Sequence, residues 1–390
     1  MITKREQSKF RVAFLSGMDQ IDRVTWNSIC GTDYPFLRHE FLRALEHSGS
    51  VGADTGWRPH HLVLYRKDEP VGLMPLYIKS HSYGEYVFDW AWADAYHRHH
   101  FSYYPKLLSA VPFAPAGGPR LCLRDEELRS AATLAVVNAI REELDREEYS
   151  SWHLLFPHPR ELPFFAELGL LQRHGCQYHW FNRDYPSFDQ FLDHLSSRKR
   201  KNIRRERRRV AEQGLELTRL SGPERSDEQL QTFYTFYQAT YYKRGQRGYL
   251  SPAFFREILS TMPEQLLLVL AYLDGEAVAG AFFMQGGDTL YGRYWGCLEE
   301  YECLHFEACY YQGIAHCIDH GIARFDPGAQ GEHKISRGFE PVTTHSVHWI
   351  AHPGFRAAIA DFLEREQAGM SDYMAQASKL LPFKKGPLTL

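Results

Sequence analysis

Asp326, Glu332, His333, Lys334 and Arg337 crowd into one short stretch, Phe325-Asp-Pro-Gly-Ala-Gln-Gly-Glu-His-Lys-Ile-Ser-Arg337, together with Gly328 and Gly331. A carboxylate or an imidazole can take a proton from an attacking amine, and a lysine and an arginine can hold a phosphate or a carboxylate. Glycines let backbone N–H groups approach a ligand. The set could take a proton from a nucleophile beside a bound anion. Glu307 or Asp326 is the expected general base, with His333 as relay or substitute. Lys334 and Arg337 are expected to hold a donor phosphate or an acceptor carboxylate, and Glu332, Gly328, Gly331, Tyr310, Tyr311 and His305 to border the substrate. Structural readings compete with these. Glu307 suits the first turn of a helix through the helix dipole, Asp326 before Pro327 is a common turn acid, and Tyr310 and Tyr311 fit a core.

Periodicity places these residues. Tyr310, Tyr311, Ile314, Cys317 and Ile318 repeat at helical spacing, so a helix runs here and ends at Gly321. Ile322 to Phe325 then reads as a short strand, which Asp326-Pro327-Gly328 breaks. A glycine loop at a strand end is where open sheets hold ligands. Upstream, Leu266 to Leu273, Ala277 to Met284 and Thr289 to Trp295 read as a meander. In the first half, His61 to Tyr65, Val71 to Ile78 and Glu85 to Trp92 read as strands, Tyr103 to Ala110 as a short helix and Asp125 to Glu148 as a long one.

From Arg198 to Arg209 the chain reads RKRKNIRRERRR, a helix capped by Ser196 or Ser197 with Glu206 as its one acid. Paired surface arginines are the ordinary reading of such a run. The density here exceeds what surface pairing neutralises, so Arg198, Lys199, Arg200, Lys201, Arg204, Arg205, Arg207 and Arg208 are the expected contacts to phosphate or RNA. The whole chain carries a net charge of -3, so that attraction is local. Its 390 residues, 44% apolar and 24% charged, fit two globular domains. No run of about 20 apolar residues offers a membrane span, and the charged start MITKREQSKF is unlike a secretory signal. A cytoplasmic protein is expected. The cysteines are scattered without C-x-x-C spacing. His305-Phe-Glu307 lacks the following P-C-x-x-C of a zinc deaminase, and the histidines at 97–100 and 345–352 close no ligand shell, so no metal is expected.

The two halves echo each other. His61-Leu-Val-Leu-Tyr-Arg-Lys-Asp-Glu-Pro-Val-Gly72 matches Leu268-Val-Leu-Ala-Tyr-Leu-Asp-Gly-Glu-Ala-Val-Ala-Gly280, and Phe113-Ala-Pro-Ala-Gly-Gly118 is set against Phe325 to Gly331. The Asp326 position then falls on Ala114, so chemistry is assigned to the second copy. A meander, a helix, a strand and a glycine loop resembles the acetyltransferase (GNAT) fold, and a tandem pair resembles the Fem-type aminoacyl transferases. Tyr185-Pro-Ser-Phe-Asp-Gln-Phe-Leu-Asp-His-Leu-Ser-Ser-Arg-Lys-Arg-Lys-Asn-Ile-Arg204 and Leu304-His-Phe-Glu-Ala-Cys-Tyr-Tyr311 are similar to the FemAB-like N-acyltransferases linked to peptidoglycan biosynthesis.

The resemblance implies an α/β chain of two GNAT-like domains, each a mostly antiparallel sheet flanked by helices. The expected domains are 1–185, which shapes the site on the acceptor side, and 186–390, with the basic helix 198–213 and the active loop 325–338. It implies an amine acceptor and a donor co-substrate, aminoacyl-tRNA or acyl-CoA, with no tightly bound cofactor. The Q/R-x-x-G-x-G/A turn that cradles the coenzyme A pyrophosphate is missing at Glu299 to Phe306, which favours tRNA. An acyl-CoA-dependent transferase and a non-catalytic module binding RNA or cell-wall precursor are the alternatives.

Overall fold

The computed structural model describes residues 10–222, 226–243, 245–329 and 331–384; the charged start before Phe10 lies outside them. The chain divides into two units, Met1–Gly175 with Thr343–Ser371 and Cys176–Val342 with Asp372–Leu390. The break expected at 185/186 therefore falls at 175/176, and 343–371 returns to the first unit. Hydrogen bonding is the reason: Ser346–Ile350 pairs with Ser151–Leu155, well back in the first half.

The first unit contains the strands β1 (Arg11–Leu15), β2 (Trp57–Pro59), β3 (His61–Arg66), β4 (Glu69–Met74), β5 (Tyr77–Lys79), β6 (Lys106–Ser109), β7 (Cys122–Leu123) and β8 (Ser151–Leu155). Its helices are α1 (Arg23–Cys30), α2 (His39–His47), α3 (Trp90–Arg98), α4 (Arg129–Arg146) and α5 (Leu162–Ala166). β1, β3, β4 and β7 form an antiparallel sheet. β5 and β6 are antiparallel, and β6 and β8 parallel. Leu62, Leu64, Leu107, Val136, Ile140 and Trp152 fill the core. Two expectations fail in this unit. Tyr103 to Ala110 holds β6 rather than a helix, since a short apolar run is equally compatible with either. Glu85 to Asp89 is not a strand, because Lys106 draws both acids inward, Glu85 to 2.9 Å.

The second unit follows β9 (Leu171–Phe181), which begins in the first. It contains α6 (Phe188–His194), α7 (Ser197–Glu212), β10 (Leu215–Ser221), α8 (Asp227–Tyr242), α9 (Pro252–Thr261), β11 (Leu266–Leu273), β12 (Glu276–Gly286) and β13 (Thr289–Cys297). A helix over 304–319, α10, precedes β14 (Arg324–Asp326). β15 (Glu340–Ile350) and α11 (Pro353–Lys379) close the chain. β10 to β13 are an antiparallel meander, and β14 adds to β13 in parallel. Trp180, Phe191, Val269, Phe283, Tyr311 and Phe325 are its core.

The duplicated hairpin is real in three dimensions. β3 and β4 shift register between Leu64 and Tyr65, and β11 and β12 between Ala271 and Tyr272, the positions matched in sequence. The second match needs correction. The parallel pair β6–β8 across α4 is the counterpart of β13–β14 across α10, so β14 answers to residues 152–154 and not to 113–118. Similar glycine turns had suggested the wrong register.

Candidate active site

β13 and β14 pair from Thr289 and Arg324 as far as Tyr291 and Asp326, and then part. At the parting, Phe282 faces Tyr294 and Phe283 faces Gly292, so Arg293 is the extra residue of a bulge. Its guanidinium enters the gap, with Nη2 2.8 Å from Asp326 Oδ2 and Nη1 2.8 Å from the Gly292 carbonyl. The two side chains are 2% and 1% exposed. Burial pushes the Asp326 carboxyl up, but the Arg293 charge and then His179 outweigh it and hold it well below the usual carboxylate range. Asp326, expected as a base, is a sealed counter-ion.

Two further expectations reverse here. The Gly328 N–H donates to Asp326 Oδ1 at 2.9 Å and is not presented to a ligand. Lys334 Nζ donates to the Gly328 carbonyl at 2.8 Å and is buried, which lowers its pKa to about 8. It closes the loop instead of gripping a phosphate.

α10 is widened by a π-turn over Glu307–Tyr311, the kind of irregularity that re-aims side chains. Glu307 is buried and takes three donors: Arg207 Nε at 3.1 Å, Arg207 Nη2 at 3.2 Å and Gln312 Nε2 at 2.8 Å. It anchors α7, and no oxygen is left free to act as a base. Glu206 turns inward beside it. Its oxygens accept Arg337 Nη2 at 2.9 and 3.0 Å, and one accepts the Tyr311 hydroxyl. Arg337 also donates to Tyr311 Oη at 3.0 Å and to the His333 carbonyl at 2.8 Å, and lies 3.6 Å over the Phe306 ring. Arg337 is thus spent on the fold rather than on an anion. Tyr311 is core.

His333 remains exposed. One ring nitrogen, Nε2, lies 2.9 Å from the Tyr310 hydroxyl, and Nδ1 has no hydrogen bond among the described residues. Partial burial, then the charges of Arg337 and Lys334, lower its pKa, so the ring is neutral at neutral pH. Gly331 is what admits it. A Cβ there would come within 2.3 Å of the ring, at a φ of +115° that other residues avoid. Glu332 turns away and accepts the Tyr373 hydroxyl at 2.7 Å. His305 packs edge-on to Trp295 and Tyr310 and lines a pocket of about 420 Å³ with Lys243, Trp295, Glu299 and Glu300. Burial drops its pKa to about 4.

The basic helix divides. Arg200, Arg204, Arg208 and Arg209 pair with Asp193, Asp189, Glu212 and Glu302, and Arg207 with Glu307. Arg198, Lys199, Lys201 and Arg205 have no ion pair or hydrogen bond among the described residues.

A family model described as peptidoglycan biosynthesis/recognition matches residues 17–385. The chain belongs to this FemAB-like family. No curated protein matches it. Among solved structures, FemX is 14% identical, with 85% of this chain and 96% of FemX covered at a TM-score of 0.52. The C-terminal domain of an Agrobacterium fabrum protein assigned as a lysylphosphatidylglycerol synthetase is 11% identical, covering 90% and 97% at 0.51. A Bacteroides thetaiotaomicron protein of unknown function is 13% identical, covering 87% and 99% at 0.50. These likenesses establish the fold. No helix among the described residues is long and apolar enough to cross a membrane.

Three residues of this candidate site escaped sequence reasoning. Arg293, a lone charge between Tyr291-Gly292 and Tyr294 in an otherwise apolar strand, was a legible signal. So was Glu206, the single acid in a basic run. Gln312 carried none.

Proposed function

We propose that this FemAB-like chain transfers an aminoacyl group from tRNA to the amine of a peptidoglycan precursor, using the second unit. The observation that carries the choice of donor is where charge lies around α10. The turn entering α10, where acyl-CoA users hold a pyrophosphate, carries exposed Glu299, Glu300 and Glu302, and Cys303 takes a φ of +64°. A pyrophosphate there meets carboxylates, and like charges repel. On α7, by contrast, four cations are left unneutralised among the described residues, and a polyphosphate backbone is their natural partner.

The chemistry falls to His333. The acceptor nitrogen attacks the ester carbonyl carbon, a C–N bond forms, and the C–O bond to the terminal ribose breaks. Neutral His333 takes the proton that the nitrogen sheds and returns it to the departing ribose oxygen. Tyr310 fixes the ring, while the Arg293–Asp326 and Arg337–Glu206 pairs hold the loop that carries it. The first unit has a shaping role.

The test is a donor comparison with purified protein and a pool of amine acceptors. Labelled aminoacyl-tRNA should lose its label to an acceptor faster than it hydrolyses alone, and acyl-CoA should release no thiol. Thiol release with inert aminoacyl-tRNA refutes the reading.

A further inference from the structure

In the first unit, one short segment is turned inside out. A connecting stretch such as Tyr83-Gly-Glu-Tyr-Val-Phe-Asp-Trp90 ordinarily gives its acids to water and its rings to the core. Here Glu85 and Asp89 are each 4% exposed, while Tyr83, Phe88 and Trp90 are 56%, 57% and 42% exposed. Fully buried Lys106 holds the acids, donating to Glu85 Oε2 at 2.9 Å, to Ser82 Oγ at 2.8 Å and to Asp89 Oδ2. The Tyr83 carbonyl accepts Trp57 Nε1 at 3.2 Å and Lys79 Nζ at 3.3 Å, and the Phe88 carbonyl accepts Arg173 Nη1 at 2.7 Å. Gly84 takes a φ of +81°, and a Cβ there would come within 2.7 Å of the Phe113 ring. The Tyr83 and Trp90 rings meet 5.2 Å apart.

Seating an ammonium and two carboxyl groups out of water is costly even when they pair. What it produces is a fixed outer surface without charge. From Ser80 to Ala93 the exposed residues are Ser80, Tyr83, Phe88, Trp90 and Ala91, and the next acid along the chain, Asp94, is paired with Arg98 at 3.0 Å. Such a surface gives the phosphates of RNA nothing to hold. Tyrosine, phenylalanine and tryptophan rings with no carboxylate among them suit the boundary between lipid headgroups and acyl chains, which favours amphipathic rings and expels acids. We propose that this loop docks on a phospholipid bilayer, with Phe88 and Trp90 entering the headgroup boundary while Lys106 keeps the two acids out of it. Attachment of this kind lies on a bilayer and does not span it. The proposal goes beyond the transfer reading and stands without it.

The experiment sediments the full chain with vesicles of phosphatidylcholine alone and of phosphatidylcholine and phosphatidylglycerol in equal parts. The chain should pellet with both, to the same extent between about 50 and 500 mM salt, because no charge drives the attachment. Phe88→Ser/Trp90→Ser should weaken binding by about tenfold or more and leave the unfolding midpoint in place. Val24→Ser, at a side chain 73% exposed on α1 of the same unit, should leave binding unchanged. Of the eight tryptophans only Trp90 is exposed, so brominated lipid should quench the unaltered protein and spare Trp90→Phe. Absence of pelleting with either vesicle overturns the proposal. So does pelleting confined to the phosphatidylglycerol vesicles and abolished by salt, which assigns attachment to cations elsewhere, and so does an equal loss in Val24→Ser. A dimer in lipid-free solution that the double variant dissolves also overturns it, making the loop a contact between two copies. The assay contains no RNA and no acceptor, so its failure leaves the transfer reading standing.

Discussion

In both units a parallel pair of strands is joined through a helix and then comes apart, β6 from β8 in the first and β13 from β14 in the second. What occupies the parting differs. Counting from the paired residues, the Arg293 and Asp326 positions fall on Val111 and Leu154 in the first unit, both buried. Beyond them the first unit's own chain fills in: Gly118 N–H donates to the Phe156 carbonyl at 3.1 Å, and Arg120 Nε to the Leu155 carbonyl at 2.7 Å. The second unit keeps a charged gap, with an ion pair at its base and a glycine loop at its edge. One copy has been packed shut with backbone and apolar side chains; the other keeps charges that hold His333 at the surface.

Breaking the ion pair tests that contrast most severely. Arg293→Met leaves Asp326 buried without its counter-charge and should cost about 3–5 kcal/mol in urea unfolding, with turnover lost. Val111→Ala, the matching change in the first unit, removes only two methyl groups and should cost about 1–2 kcal/mol. Arg293→Met with Asp326→Leu copies the first unit's chemistry into the second. It should recover most of the stability and none of the turnover, which separates the pair's structural part from its positioning of the loop. A fully active double variant would show that the charged gap is dispensable.

His333→Ala should lower turnover about 10²–10⁴-fold without moving the unfolding midpoint, because the ring is exposed and makes one hydrogen bond. A loss confined to KM would assign His333 to binding instead. A smaller effect comes from the glycines. Gly331→Ala places a methyl group against the His333 ring at a strained φ and should cost about 1–3 kcal/mol along with activity. Gly117→Ala has open space around it and should stay within about 0.5 kcal/mol of the unaltered protein.

The sequence held a good part of this. The meander, the helix with Tyr310 and Tyr311 inward and the β3–β4 hairpin repeated as β11–β12 all follow from period and turn chemistry, and the structure has them. Which acids stay free was not legible. Pairing across long separations decides it: Glu307 is filled by Arg207, one hundred positions away, and Arg337 by Glu206. Arg293 reaches Asp326 only because a bulge turns it inward, and bulges leave little trace in composition. The first unit hid its buried charges for the same reason. Lys106 reads as one polar residue before an apolar run, and only the fold brings Glu85 and Asp89 to it.

Those buried acids sharpen the comparison through pH. Glu161 in the first unit accepts backbone N–H groups of Arg120 and Leu121 at 3.0 and 3.4 Å, yet burial outweighs them and raises its pKa to about 7. Burial likewise raises Glu85 to about 7 despite Lys106. Between roughly pH 4.3, where an unfolded glutamate titrates, and pH 7, the folded first unit keeps protons that the unfolded chain has released. Its stability therefore falls as pH rises through that window, by roughly 1.4 kcal/mol per pH unit for each group, and levels off above it. Asp326 works the other way. Its folded pKa is depressed, so its contribution is complete above the unfolded value near 3.9 and is lost only in more acidic solution. Urea unfolding of Glu161→Gln from pH 5 to 7 should show a shallower decline than the unaltered protein, because the amide cannot ionise and still accepts an N–H. Arg293→Met/Asp326→Leu should leave that decline unchanged. If instead the glutamine variant keeps the full slope, Glu161 is already ionised in the folded first unit, and the contrast between an acid neutralised by burial and an acid held charged by a guanidinium fails.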